Sequence, residues 1–213
     1  MTKKKLFWYF DFISPFAFLQ WPAMQRLAAS QDVDFEPRPV LLAALLNHWG
    51  HLGPAEIPQK RLFTYRHVQW LAGKRGIALR FPPAHPFNPL KALRLATCLD
   101  GDLEAIDAIF NYLWVQGKGL DDTVGFSKLC SDLGVTDPEA TLRLPEVKTK
   151  LVANGEKAIG HGVFGVPSAV VDGLLFWGQD ATEMLLDYLA DPSWMRSGEM
   201  SRISHLPIGV SRV

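Results

Sequence analysis

The sequence predicts an α/β protein in which a βαβ opening and a ββα close share one sheet and flank a long helical block. Three observations carry that expectation. An unbroken apolar run is followed at once by a helix start, helical periods without strand signals fill residues 41–161, and a late Asp-Gly dipeptide separates two short apolar runs.

Leu6, Phe7, Trp8, Tyr9 and Phe10 are apolar without alternation, which suits a strand buried on both faces. Asp11 breaks the run, and Ser14-Pro15 opens a helix. Serine accepts at the N-cap, and proline at the first helical position lacks an N–H that the helix does not use. The helix should reach about Ser30, with a kink at Pro22. Val33 to Val40 reads as a second strand, with Val33 and Phe35 inward and Asp34 and Glu36 outward. Strand, helix and strand in succession make a βαβ unit, hence a parallel pair with a right-handed crossover.

Helical periods take over from Leu41 to about His161. Asn88-Pro89 and Asp137-Pro138 each put a capping side chain before a proline. Apolar residues recur at three and four through Leu103–Val115 (Ile106, Ile109, Phe110, Leu113), and Glu56–Ala72 and Phe126–Leu133 behave alike between Gly- and Pro-containing breaks. Strand character returns at Ser168–Val171 and Leu174–Trp177, joined by Asp172-Gly173, the strongest hairpin signal in the chain. Asp180 to Leu189 makes a last amphipathic helix that ends near Asp191-Pro192, and the tail from Ser193 has no periodicity. A four-stranded sheet closes only if the final hairpin joins the first two strands, which makes the helical block an insertion. The expected division is a discontinuous domain of 1–40 and 162–192, a helical domain of 41–161 and a tail of 193–213. That is a thioredoxin-like domain carrying an inserted all-helical domain.

Composition narrows the function classes. The 213 residues carry 22 basic and 22 acidic side chains, a net charge of zero that gives no footprint for nucleic acid or an anionic membrane. With 48% hydrophobic and 21% charged residues the chain has the composition of a folded domain. Its longest uninterrupted apolar stretch, Val40 to Leu46, is far below the ~20 residues of a membrane span. The run behind Lys3, Lys4 and Lys5 is too short for a signal peptide, so the lysines read as a solvated terminus and the chain as cytoplasmic. Cys98 and Cys130 form no C-x-x-C pair and read as reduced, packed thiols. His48 and His51 have H-x-x-H spacing, but Gly50 interrupts the helix and no further ligand stands near, so no metal site is expected. Trp49, Trp70 and Trp114 can line an aromatic pocket, yet most should fill core, and His161 reads as a loop residue.

Three segments can carry chemistry. Ser14 sits where free N–H groups and the positive end of a helix dipole converge, a place that favours an anion such as a thiolate. A hydroxyl donating to that anion adds roughly 1.5–3 kcal/mol, which lowers a bound thiol's pKa by about one to two units. From these residues alone an ordinary N-cap serine is the simpler reading. Phe164-Gly165-Val166-Pro167-Ser168 puts a proline at the entrance to a strand. A cis Val166-Pro167 bond leaves the Val166 backbone open to an extended peptide, whereas base frequencies favour trans. At Trp177-Gly178-Gln179-Asp180 the amides and Asp180 can receive the ends of an amino acid, or Asp180 can simply cap the helix.

Asp11-Phe12-Ile13-Ser14-Pro15-Phe16-Ala17-Phe18-Leu19, Phe164-Gly165-Val166-Pro167-Ser168 and Phe176-Trp177-Gly178-Gln179-Asp180 together resemble the 2-hydroxychromene-2-carboxylate isomerases, within the DsbA-like and kappa-class glutathione transferase group. The similarity runs from Leu6 to about Leu189. It implies glutathione as cofactor, with Ser14 holding the sulfur where disulfide oxidoreductases carry cysteine. Val166, before a cis Pro167, would pair with the cysteinyl backbone, and Gly178, Gln179 and Asp180 would take the γ-glutamyl end. It further implies cis–trans isomerisation of an unsaturated aromatic keto acid, and a homodimer as one assembly found among relatives. His51 aligns with a family asparagine at the substrate pocket, and His85 stands near a family tyrosine. The family's lysine for the substrate carboxylate is absent from Leu41–Leu46, leaving His48, His51 or Arg38 as substitutes, and Ala181 replaces a usual arginine. The alternatives are a kappa-like transferase or peroxidase acting on electrophiles or hydroperoxides, and a non-enzymatic module that binds peptides through Val166.

Overall fold

A computed structural model describes residues 3–30 and 32–210. Strand β1 (Lys4–Phe10) lies inside a four-stranded sheet of order β2-β1-β3-β4. β2 (Val33–Pro39) pairs parallel with it from Lys4↔Val33 to Phe10↔Pro39, and β3 (Ser168–Val171) antiparallel from Leu6↔Val171 to Tyr9↔Ser168. β4 (Leu174–Trp177) closes the hairpin against β3. The final hairpin thus joins the first two strands, as the element order requires.

The unalternating run in β1 is explained by apolar layers on both sides. Leu6, Trp8 and Phe10 face the larger core, where Trp8 stacks on Trp21 at 5.3 Å and Phe10 meets Phe110 at 5.8 Å. Tyr9 faces a smaller cluster with Val40, Leu45, Ala158, Val163 and Val170. Helix α1 (Pro15–Ser30) runs unbroken through Pro22 and buries Phe18, Trp21 and Met24. At the edge strand, the Val40 N–H reaches Phe10 O at 2.9 Å, so the alternation turns Pro37 and Pro39 outward, and an edge with fewer donors resists pairing with another chain.

The helical block comprises α2 (Leu42–Trp49), α3 (Pro58–Lys74), α4 (Leu90–Cys98), α5 (Leu103–Phe110), α6 (Thr123–Asp132), α7 (Pro138–Thr141) and α8 (Pro145–Gly160). Asp137 caps α7 as its spacing predicts, accepting from Ala140 N at 3.0 Å. Helix α9 (Thr182–Ala190) follows β4. Its residues and those of the block share one buried cluster with the sheet.

Several expectations need correction. Lys4 and Lys5 belong to β1 and are ion-paired with Asp172 and Glu36, because the strand starts earlier than its apolar run. Leu103–Val115 is not one regular helix: Asn111–Val115 widens into a π turn, which keeps Tyr112, Leu113 and Trp114 all buried. Trp114 is core, but Trp49 and Trp70 are 46% and 58% exposed. The tail contains a 3₁₀ turn (Pro192–Arg196) that packs Trp194 and Met195 on the core, then α10 (Gly198–Ile203); its last three residues, 211–213, lie outside the described residues. No helix among the described residues is long and apolar enough to cross a membrane.

Asp172 and Gly173 have φ of 52° and 78°, the two left-handed positions of a primed hairpin turn. Tyr188 donates to Asp172 at 3.0 Å and fastens the turn to α9. A Cβ on Gly173 would meet nothing within 4 Å, so the cost of Gly173→Ala is purely conformational, about 1–2 kcal/mol. Thermal melting should show Tm lowered by about 2–8 °C; an unchanged Tm would mean that the turn relaxes without strain.

Candidate active site

Residues 11–14 connect β1 to α1 through the interior. Asp11 and Phe12 are 0% exposed and Ser14 6%. Ser14 N donates to Asp11 O at 3.0 Å and closes the turn. The Ser14 hydroxyl accepts from Ala17 N at 3.2 Å, so the N-cap reading holds. Its proton faces Val166 O at 3.5 Å, the long limit of a hydrogen bond, and is therefore weakly engaged. Capping uses a lone pair and leaves the donor free, so the two readings of Ser14 do not compete.

The remaining polar groups of the turn are met from the helical block. Trp114 Nε1 donates to Phe12 O at 2.8 Å, and His85 Nε2 lies 2.8 Å from Ile13 O. The Asp11 carboxylate accepts from Ile13 N at 3.1 Å and from Leu42 N at 2.9 Å, serving as the cap that Leu41 does not supply to α2. Burial pushes the Asp11 carboxyl up to about 7, against the pull of the backbone donors at Leu42, Ile13 and Phe12.

The second loop faces the first. The Val166–Pro167 bond is cis, and no partner meets the Val166 N–H among the described residues. Trp49 Nε1 donates to Val163 O at 2.9 Å and His51 Nε2 lies 3.2 Å from Phe164 O, so the end of α2 grips this segment. Gly165 is required where it stands: a Cβ would sit 2.8 Å from Trp177 Nε1. Beyond β4, Gly178 N donates to Pro167 O at 2.8 Å. Gln20 donates to Gly178 O at 3.1 Å and to Thr182 Oγ1 at 3.0 Å, and receives Trp8 Nε1 at 2.8 Å. Gln179 is 7% exposed, and its Oε1 is buried without a partner. Asp180 is exposed, and the N-cap of α9 is Ala181 with no side-chain capping bond, so Asp180 does not cap that helix.

These segments border one cleft of about 1160 Å³. His51, Val166, Pro167, Gly178, Gln179 and Asp180 all line it. Ser14 lies beneath Val166 rather than in the wall. His85 does not line it either and stands behind the Ser14 turn, where both ring nitrogens are engaged. Arg38 is held by Glu36 and Asn154 away from the cleft, so of the three substitutes for the family lysine only His51 reaches it. Sequence reasoning missed Lys60, Arg26 and Arg75, which bring positive charge to the cleft lining, and Gln20. It also gave Asp11 no role beyond ending the strand, although a lone carboxylate closing the apolar run of residues 6–10 was visible.

A four-stranded sheet with β1 inside it, a first helix starting at a buried polar residue and a cis-proline facing that residue define a thioredoxin-fold protein of the type with inserted helices. The chain belongs to the family with a DSBA-like thioredoxin domain, whose model matches residues 5–190. A 2-hydroxychromene-2-carboxylate isomerase of Sphingobium xenophagum is 28% identical over 195 residues, covering 88% of this chain and 99% of the relative. Glutathione S-transferase kappa 1 of Rattus norvegicus is 24% identical over 206 residues, covering 88% and 91%. A solved 2-hydroxychromene-2-carboxylate isomerase superposes with a TM-score of 0.78 at 23% identity, over 93% of this chain and 98% of that one.

Asp11 makes stability depend on pH with a definite sign. Its folded pKa is raised above the ordinary value of 3.8, so the folded protein keeps a proton that the unfolded chain has released. The contribution is complete below about 4 and is lost as pH rises to about 7. From pH 5 to 8, wild type should lose roughly 2–3 kcal/mol relative to Asp11→Asn in urea unfolding. A constant difference across that range would remove Asp11 as the titrating group.

Proposed function

We propose that the protein is a glutathione-dependent cis–trans isomerase of 2-hydroxychromene-2-carboxylate-type aromatic keto acids. The observation that carries this reading is the weakly held Ser14 hydroxyl proton at the start of α1, beside a Val166 N–H without a partner at the edge of a roomy cleft. The likeness to isomerases along nearly the whole chain agrees with it. The residues present also fit glutathione: the orphaned Gln179 Oε1 lacks the N–H donor that a γ-glutamyl ammonium would offer, and the Val166 backbone lacks the extended partner that the cysteinyl unit would be.

Glutathione, when bound, supplies an ionised sulfur able to add to and leave an activated double bond, which becomes free to rotate in between. The protein's task is to hold and orient. Ser14 donates to the sulfur and, with the N-terminal dipole of α1, favours its ionised form. Val166 and Pro167 align the peptide, and Gly178, Gln179 and Asp180 receive its γ-glutamyl end. His51 and Lys60, both in the cleft lining, offer donors to the keto acid's carboxylate and developing enolate. Ultraviolet titration of bound glutathione should give a depressed thiol pKa that rises by about one to two units in Ser14→Ala. Equal values in the two proteins would remove Ser14 from the mechanism.

The absence of a lysine from Leu41–Leu46, together with the likeness to a kappa transferase, supports a second reading. In it the same sulfur acts on electrophiles or hydroperoxides. Turnover on a benzylidenepyruvate in preference to a chloro-dinitro arene and a hydroperoxide is expected for the isomerase, and the opposite ranking for the transferase.

A further inference from the structure

The peptide unit between Ile13 and Ser14 is pinned at both ends. Its N–H, that of Ser14, donates to Asp11 O at 3.0 Å. Its carbonyl, that of Ile13, lies 2.8 Å from His85 Nε2. A carbonyl can only accept, so Nε2 carries a proton and donates. The Tyr65 hydroxyl lies 2.8 Å from the other ring nitrogen, Nδ1, and 2.6 Å from His85 O, so its single proton is divided between two acceptors of the same residue. The ring is boxed in further by Phe81, Phe87 and Trp114, with centroids 5.6–6.1 Å away. Both nitrogens have partners outside the cleft, whose lining does not include His85.

Rotation of the Ile13–Ser14 peptide plane swings the Ser14 Cα–Cβ bond and carries Oγ with it. Asp11 O alone restrains one edge of that plane. A donor on the carbonyl edge removes the remaining freedom, and His85 is the one such donor among the described residues. We propose that His85 is a positioning residue: held by the Tyr65 hydroxyl, which spans its carbonyl and Nδ1, it donates from Nε2 to Ile13 O and so aims the Ser14 hydroxyl at the sulfur site. This rests on the glutathione reading above for its catalytic consequence, but not for its geometry.

The test compares His85→Phe, which fills the space without a donor, with His85→Gln, whose side-chain amide places an N–H near the former Nε2. In the ligand-free protein, hydrogen exchange at the Ser14 amide should accelerate about tenfold or more in His85→Phe and stay near the wild-type rate in His85→Gln. With glutathione bound, the thiol pKa should rise by about one unit in His85→Phe, with kcat lowered about tenfold and KM for glutathione nearly unchanged, and Gln should restore both. Far-ultraviolet circular dichroism and a cooperative melt check that both variants are folded; should Phe fail to fold, Tyr65→Phe, which frees Nδ1, replaces it and should show the same changes at smaller size. Unaltered Ser14 exchange in the donor-free variant, or identical behaviour of Phe and Gln, would overturn the proposal. A wild type that shows no depressed thiol pKa would instead overturn the glutathione reading, while the exchange experiment still decides the role of His85.

Discussion

A buried turn has to find hydrogen-bond partners inside the protein, and residues 11–14 bring that demand to the end of β1. Asp11 and Phe12 are closed to water, so their backbone and carboxylate groups depend on protein partners. The turn meets part of the demand itself, through Ser14 N to Asp11 O and Ile13 N to the Asp11 carboxylate. The rest comes from the start of α2, from the π turn and from the loop before α4, through Leu42 N, Trp114 and His85. Without these donors, each orphaned group would cost about 1–3 kcal/mol, enough together to displace the turn.

The same arrangement makes the helical block part of the cleft rather than a cover over it. Trp49 and His51 hold the backbone ahead of the cis-proline, while Gln20 ties α1 to the segment after β4. One loop is thus held by the buried Gln20 and the other by the exposed side chains of Trp49 and His51. Gln20 is itself held by the indole N–H of Trp8, which stacks on Trp21 in the main core. A site so supported is formed before any ligand arrives, which keeps the ordering cost of binding low.

How much of this was legible in the sequence depended on the range of the interaction. The strands, the Asp172-Gly173 turn and the Ser14-Pro15 helix start were readable because burial, turn angles and capping each act within a few residues. The cleft segments were readable as three spaced motifs once a family resemblance was admitted. The clamps were not: Trp114 to Phe12 and His85 to Ile13 span 102 and 72 positions, and nothing local at either end distinguishes a pinning donor from a core aromatic. The resemblance puts His85 near a substrate-pocket tyrosine of the family, and nothing in its local sequence announces its contact with Ile13 O. The π turn escaped for a related reason, since a widened turn satisfies the same apolar spacing as a regular one until three consecutive residues all need burial.

The chemistry open to the cleft follows from which groups near it can ionise. Cys98 and Cys130 lie in α4 and α6 and do not line the cleft. Burial pushes both thiols up, that of Cys130 to about 11, so near neutral pH they stay protonated and are poor nucleophiles. Thiol–disulfide exchange by the chain itself would need a thiolate at the first turn of α1, where the sequence has a hydroxyl that stays neutral. A neutral donor at a helix N-terminus suits the function proposed above, in which it would stabilise an ionised sulfur brought by a ligand without offering a second sulfur to trap it as a mixed disulfide. Reversible addition needs that combination: a sulfur ionised enough to attack, and no neighbouring thiol with which it can form a more lasting bond.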